Sequence, residues 1–406
     1  MSAPKLSNIL AQQAVDAVAQ FGSSGKAAEV LRVPAETVRA RRREGAARGL
    51  KPSGNRIISP EDSLKRQVTR LESDLRSATQ KSIDEESIRR HIIKLADSAT
   101  RLETPEWVIE PAGRASSPGV PTLFFSDLHW GEVVQPSQIN GVNQYNLKIA
   151  KTRLHNCFGS AVKLLRIISP KMDYPGLVMP LGGDLVSGNI HDELTATNEL
   201  NTMPTVLDLY GELVALITAA ADTFGRVFVP AVSGNHGRDT HKIWSKDRHA
   251  TSFDWLLCCL LAKRFEGDKR VTFHIPDGPD AYYRIYNHRY LLTHGDQFRG
   301  GDGLIGALGP IVRGDHKKRS RNAQIDMEYD TMICGHWHQY VHLTRLIVNG
   351  SLKGLDEYAY SNNFPFEQPQ QALWLTHQKY GITYRMPVLV ERQRPAAKTS
   401  WVAIAA

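Results

Sequence analysis

Two histidines set two residues apart, His336 and His338 in "ICGHWHQY", carry the sharpest chemical signal in the chain. In an extended segment, residues at i and i+2 point the same way, so both imidazoles can converge on one object. The glycine before them suggests a strand end where backbone approaches something closely. Similar clusters follow other apolar runs: Asp127 and His129 in "SDLHW", Asp184 in "GGDLV", Asn235 and His236 in "GNHG", and His294 in "THGD". The set is rich in carboxylate and imidazole and holds no cysteine, which suits Mn, Fe or Zn rather than a structural thiolate site. There are too many ligands for one ion and enough for two sharing a carboxylate. Two ions roughly 3.5–4 Å apart can clamp an in-line displacement at phosphorus.

These residues need strands to deliver them. From Pro121 onward, apolar runs such as "TLFFSDLH", "GLVMPLGGD" and "RVFVPAVSGNH" each end in polar residues, and helical stretches such as "LKIAKTRLHNCFGSAVKLLRII" lie between them. "YYRIYNHRYLLTHGD" reads as two strands around a turn at Asn287–His288, and "DTMICGHWH", "RLIVNGS", "QALWLTH" and "GITYRMPV" continue the series. The alternation indicates an α/β domain with a more hairpin-rich C-terminal half. In such sheets the C-terminal strand ends meet at one edge, where ligands bind.

Five fragments in the order D-x-H, G-D, G-N-H, H-G and G-H-x-H, each after an apolar strand, resemble the calcineurin-like metallophosphoesterase superfamily over residues 121 to 352. The resemblance implies a β-sandwich flanked by helices, in αββα layers. It implies that Asp127, His129 and His338 bind one divalent ion, that Asn235, His294 and His336 bind a second, and that Asp184 bridges them. Mn is the first expectation for both ions, with Fe, Zn, Ni or Mg as the others. It further implies a hydroxide between the ions as nucleophile and His236 as general acid to the leaving oxygen. "NGS", Asn349 to Ser351, matches the short turn that follows the last metal motif in such proteins. Two positions depart from the pattern. Gly237 stands where many relatives carry an acid after the histidine, with Asp239 the nearby acid that could replace it, and Ser187 stands where many have Asp or Asn.

The basic charge is unevenly placed. Residues 1 to 58 hold ten Lys/Arg against four Asp/Glu, or +6, while residues 59 to 406 hold forty against thirty-eight, or +2. An acidic polymer is the natural partner of the N-terminal piece. Ala14, Val15, Val18 and Phe21 give one amphipathic helix closed by Gly22, and Ala27, Ala28, Val30 and Leu31 a short second one. Pro34 then opens a third helix anchored by Val38. This resembles a helix-turn-helix module, with Thr37, Arg39, Arg41, Arg42 and Arg43 facing a DNA groove or its phosphates. A basic three-helix bundle with a solvated charged face is the other reading. In "RGDHKKRSR", Lys317, Lys318 and Arg319 read either as a solvated charged loop or as contacts to a phosphate backbone. His191, His241, His316 and Arg153 are further candidates for substrate contact or for support of the ligands.

The expected organisation is a basic module over 1–58, a helical connector and linker over 59–118, the phosphoesterase domain over 119–392 and a tail over 393–406. Leu64, Val68, Leu71 and Leu75, then Ile88, Ile92 and Leu95, carry heptad-like spacing in the connector. The longest apolar helix-like run, "FDWLLCCLLA", is about half a membrane span, and no signal peptide or membrane partner is expected. Four cysteines without C-x-x-C spacing read as buried thiols of a reducing cytoplasm. The expected function is a two-metal phosphodiesterase acting on DNA, a nuclease of phage or prophage type. A homodimer or a further DNA-processing protein is the protein partner such a role admits. A phosphomonoesterase or protein phosphatase, and a DNA-binding regulator on an inactive scaffold, are the alternatives.

Overall fold

The computed structural model describes residues 7–54, 104–109, 117–300 and 306–391. The heptad-like spacing at 64–95, most of the connector and the tail lie outside the described residues. The chain divides into two compact units, residues 1–89 and 90–406.

In the first unit, helix α1 (Asn8–Phe21), α2 (Ser24–Leu31) and α3 (Ala35–Ala47) enclose Ala14, Ala17, Val18, Ala27, Ala28 and Val38. The side chains of Ser7 and Ser23 cap α1 and α2, each accepting a backbone N–H of the first turn. Gly22 ends α1 at φ 77°, a conformation that glycine adopts without penalty. Gly45 lets α3 lie directly on α1, since a Cβ there would meet Val15 Cγ2 at 2.8 Å. Asp16 ties the following chain to α1 by accepting from Ser53 N at 2.6 Å and Ser53 Oγ at 2.7 Å.

The second unit contains two mixed sheets. The first runs β11-β10-β1-β2-β3-β4, from β1 (Val120–Phe124), β2 (Leu177–Val178), β3 (Val227–Pro230), β4 (Val271–His274), β10 (Gln370–His377) and β11 (Gly381–Leu389). In it β1 to β4 are parallel, while β10 and β11 return antiparallel. The second runs β5-β6-β7-β9-β8, from β5 (Asp280–Ile285), β6 (His288–Thr293), β7 (Thr331–Cys334), β8 (Val341–His342) and β9 (Leu346–Val348). Here β6, β7 and β9 are parallel.

Strand periodicity assigns the layers. Phe124, Val178, Phe228 and Trp374 of the first sheet share one core with Tyr283, Tyr290, Ile333 and Ile347 of the second, so the sheets face each other. The alternate residues Leu123, Leu177, Val227 and Leu373 point outward onto helices Leu147–Ile168, Thr202–Phe224 and Phe253–Arg264. On the far side, Met332, Cys334, Leu346 and Val348 meet Ile311 of helix Leu308–Ala323. The result is an α-β-β-α sandwich.

Three local findings depart from the sequence reading. Helix Glu106–Ile109, which composition places in the connector, sends Trp107 and Val108 into the inter-sheet core. Among the described residues, helix Thr202–Phe224, not the run at 253–262, is the one long and apolar enough to cross a membrane by length and composition. Its Leu209, Leu213, Leu216 and Ile217 pack in the core of the sandwich. The basic run 313–321 is helix rather than loop. All four cysteines are buried and unpaired.

Candidate metal centre

The candidate ligands lie just past the C-terminal ends of parallel strands: Asp127 after β1, Asp184 after β2, Asn235 and His236 after β3, His294 after β6, and His336 and His338 after β7. The chain reaches them through unusual backbone. Asp127, His129, Asp184, His336 and His338 all have positive φ, from 46° to 70°. Left-handed backbone is uncommon outside glycine and costs free energy, so packing must hold it in place. Small neighbours make room. A Cβ at Gly234 would meet Asp184 Oδ1 at 2.1 Å, and one at Gly335 would meet Asp127 Oδ2 at 2.2 Å.

Two trios result, Asp127 with His129 and His338, and Asp184 with His294 and His336; within each, the ligating atoms lie within 4.8 Å of one another. His129 Nε2 and His338 Nε2 face each other at 3.0 Å, and His338 Nε2 is 3.4 Å from Asp127 Oδ1. His294 gives its Nδ1–H to Gly182 O at 2.8 Å, which turns Nε2 toward Asp184 Oδ2 and Asn235 Oδ1, both at 3.1 Å. Asn235 thus joins the second trio through its amide oxygen. Backbone N–H groups fix the carboxylates, from His336 to Asp127 Oδ1 at 2.9 Å and from His236 to Asp184 Oδ1 at 2.7 Å.

The electrostatics favour a bound cation. Burial works against the charge on Asp127 and Asp184, yet the histidine rings around them hold both carboxyls below the usual range. Burial would also lower His294, but Asp184 and Asp127 carry it up to about 10. The two buried carboxylates thus hold a proton on His294 in the absence of a cation. Imidazole nitrogens aimed at one another and at carboxylate oxygens form the donor set of a borderline divalent ion, so these residues fit two such ions.

His236 stands beside the trios with its ring 4.7 Å from that of His129 and 6.0 Å from the exposed His191. Its Nδ1 lies 3.3 Å from Ser187 O, so the carbonyl of Ser187 orients the ring. Burial pushes the imidazole down to about 3, against the pull of the Asp184 charge. At Gly237 a Cβ would meet Asp254 Oδ1 at 2.8 Å. The Asp254 carboxylate from helix Phe253–Arg264 therefore fills the space beside Gly237. Asp254 accepts N–H groups from Gly234 (2.9 Å), Leu185 (3.2 Å) and Val186 (3.3 Å), tying the Asp184 and Asn235 turns together. Burial and the Asp184 charge push its carboxyl up to about 6.

Sequence reading missed the groups beneath the site. Glu132 Oε2 lies 3.3 Å from His129 Nδ1, a charge contact whose angle is too poor for a hydrogen bond. Glu132 pairs in turn with buried Lys353, which also holds Asp356. Burial opposes these charges, but each carboxylate is held down and the Lys353 amine up by their mutual pairing. Ser187 turns its hydroxyl toward Glu132 and Asn198. Asn349 donates to Phe124 O (3.1 Å), Ser126 Oγ (3.0 Å) and Gln371 Oε1 (3.0 Å), locking the turn under Asp127. Glu132 follows His129 by three residues and Lys353 follows a strand end, the one signal that could have marked them.

The other expected contacts fall elsewhere. Lys318 is 7% exposed and pairs with Asp280 at 2.6 Å, so it cannot reach a phosphate backbone. Arg319 spends its guanidinium on Asp315 (2.8 Å) and Tyr329 O (2.8 Å). Of that trio only Lys317 is exposed. Arg153 is buried and clamps Leu352 O, Lys353 O and Asn143 Oδ1. His241 and His316 are exposed. In the N-terminal unit, Arg39, Arg42 and Arg43 are exposed and Thr37 and Arg41 are half-buried.

No family model matches the chain, and no curated protein matches it. Solved structures do. Vacuolar Protein Sorting 29 from Cryptosporidium parvum is 15% identical with a TM-score of 0.26, over 63% of this chain and 84% of that one. A predicted phosphoesterase from Streptococcus pneumoniae is 9% identical with a TM-score of 0.25, over 67% of this chain and 99% of that one. The sulfate thiohydrolase SoxB from Thermus thermophilus is 10% identical with a TM-score of 0.27, over 68% and 58%. At these scores the likenesses carry no weight of their own. Two mixed sheets lie between helical layers, with two ligand trios past the strand ends, as the αββα expectation from the sequence has it.

Proposed function

We propose that residues 117–391 form a two-metal phosphodiesterase whose substrate is nucleic acid, and that the N-terminal three-helix unit is a helix-turn-helix that brings it to DNA. The observation that carries the enzymatic reading is the convergence of two carboxylate–imidazole trios beside a histidine that belongs to neither. Asp127, His129 and His338 would hold one ion, and Asn235, His294 and His336 the other, with Asp184 between them. When bound, the ions would supply a positive field to the phosphoryl oxygens and acidify an attacking water. The chain supplies the rest. Gly182 O aims the His294 imidazole, and Asp254 holds two ligand turns in register. With Nδ1 facing the Ser187 carbonyl, His236 presents Nε2 as the atom that passes a proton to the leaving oxygen. Burial disfavours the charged ring, so the negative charge of a bound substrate would favour the proton, taken from solvent, that His236 passes on.

The nucleic-acid half of the reading rests on charge. Arg39, Arg42 and Arg43 stand exposed on α3, restrained only by surface contacts of Arg39 and Arg43 to Glu36 at 3.1 and 3.7 Å. Exposed pairs of that kind are worth little and yield readily to a phosphate. The test is hydrolysis by the Mn-loaded full chain of labelled single- and double-stranded DNA, a bis-aryl phosphate and an aryl phosphomonoester. Cutting of DNA and diester ahead of monoester is expected. Turnover of the monoester alone would make it a phosphatase, and DNA binding without turnover a regulator.

A further inference from the structure

The chain between Gly237 and Ser252 leaves the candidate metal centre, returns to it, and carries an indole between its two anchors. Arg238 donates to Asn235 O, to Thr240 O at 2.8 Å and to His241 O at 3.0 Å. Arg248 donates to Gly234 O at 3.1 Å and pairs with Asp296 Oδ2 at 3.0 Å. Phe253 N closes the segment on Gly237 O at 2.6 Å. Both guanidinium groups therefore pin this segment to the turn that carries Asn235 and His236. Trp244, 52% exposed, stands between the pins. With Ile243, Arg238 and Arg248 it lines a small cleft shared with Gly234 and Asn235.

Single exposed apolar residues are ordinary, so exposure alone says nothing. Position and company set Trp244 apart. It shares a cleft with a candidate metal ligand, on a segment fixed to that ligand's own backbone. Residues 238–249 carry four Lys/Arg (Arg238, Lys242, Lys246 and Arg248) against two Asp (Asp239 and Asp247), a surplus of +2. Of the cations, Lys242 and Lys246 are exposed. A flat aromatic face among cations beside a phosphate-handling centre combines the two features that hold a nucleotide. The charges take the backbone, and the ring takes the base, since every base has a π-face. We propose that Trp244 is a stacking platform for the nucleobase next to the scissile phosphate, making the site selective for nucleotide diesters over simple ones. The inference deepens the phosphodiesterase reading and rests on it.

Two chromogenic diesters separate the two claims. Thymidine 5′-(p-nitrophenyl) phosphate and methyl p-nitrophenyl phosphate share a leaving group and differ in the nucleoside. The Mn-loaded full chain should show a higher kcat/KM on the thymidine ester. Trp244→Ala should lower the ratio of the two kcat/KM values by roughly 5- to 150-fold, the range of one base–aromatic stack. Trp244→Phe should keep most of it, because a π-face survives. Taking the ratio within each variant cancels any partial loss of fold or metal. A ratio unchanged in Trp244→Ala, or a wild type indifferent to the nucleoside, overturns the platform and leaves the phosphodiesterase standing. A wild type that hydrolyses neither ester overturns both.

Discussion

Replacing Lys353 with methionine removes one charge from the most tightly packed ionic group under the site. Lys353, Glu132 and Asp356 are 2%, 6% and 7% exposed, and Lys353 Nζ lies 2.8 Å from Glu132 Oε1. At that distance and an effective dielectric near 20, one pair is worth roughly 6 kcal/mol of gross attraction. Desolvation of each ion offsets several kcal/mol of this. The variant keeps most of the side-chain stem, so packing changes little while two carboxylates are stranded side by side. Removing one partner of a buried pair typically costs about 3–5 kcal/mol, and two stranded acids put the loss at the upper end. Against a total stability of about 5–15 kcal/mol, that is large. Urea unfolding of the metal-free chain at neutral pH reads the loss. The triple variant Lys353→Met, Glu132→Gln, Asp356→Asn carries no buried charge there and should regain most of it. A single-variant loss below about 1 kcal/mol, the scale of a surface pair, would refute the reasoning. So would a triple variant no more stable than the single one.

Three further outcomes follow from the site and from the N-terminal unit. His236→Asn should keep two Mn per chain by metal analysis while turnover falls roughly 10²–10⁴-fold, and less on esters with a good leaving group; loss of metal would assign the ring to a ligand role. His338→Ala should remove one ion preferentially and Asp184→Asn should weaken both; equal loss of both ions in His338→Ala would count against two separable trios. Replacing Arg41, Arg42 and Arg43 together should lower the slope of log DNA affinity against log salt by up to about three units, and an unchanged slope would reassign α3 to protein contacts.

Much of the site was legible because its ligands sit directly on strand ends, where an apolar run followed by Gly, Asp, Asn or His shows in one dimension. The α/β class was legible in the alternation of strand and helix runs, and the sandwich came through the resemblance, since strands such as "TMIC" are buried on both faces and show no polar–apolar alternation. What lies beneath the ligands was not. Glu132, Asp254 and the Lys353–Asp356 pair come from three different segments, and only folding brings them together. The basic run at 313–321 was misread for a different reason. The buried face of its helix is Ile311, Gly314, Lys318 and Asn322, at helical spacing. Only the first of these is a large apolar residue, so a search for hydrophobic periodicity passes over it. An acid on another strand, Asp280, is what makes Lys318 a core residue.

The left-handed backbone at five ligand positions has a consequence for how the protein holds together when empty. Each such non-glycine residue sits at a cost of order 1–3 kcal/mol, and side chains at Gly234 and Gly335 would collide with the very carboxylates these turns present. The fold therefore carries tension at one rim, balanced by the cores between and outside the sheets. Glycine in place of these acids and imidazoles would relax the turns while abolishing the donors. The centre is thus a part of the molecule that its own backbone preferences work against. Its ligands keep their shape because the surrounding sandwich is rigid enough to impose it.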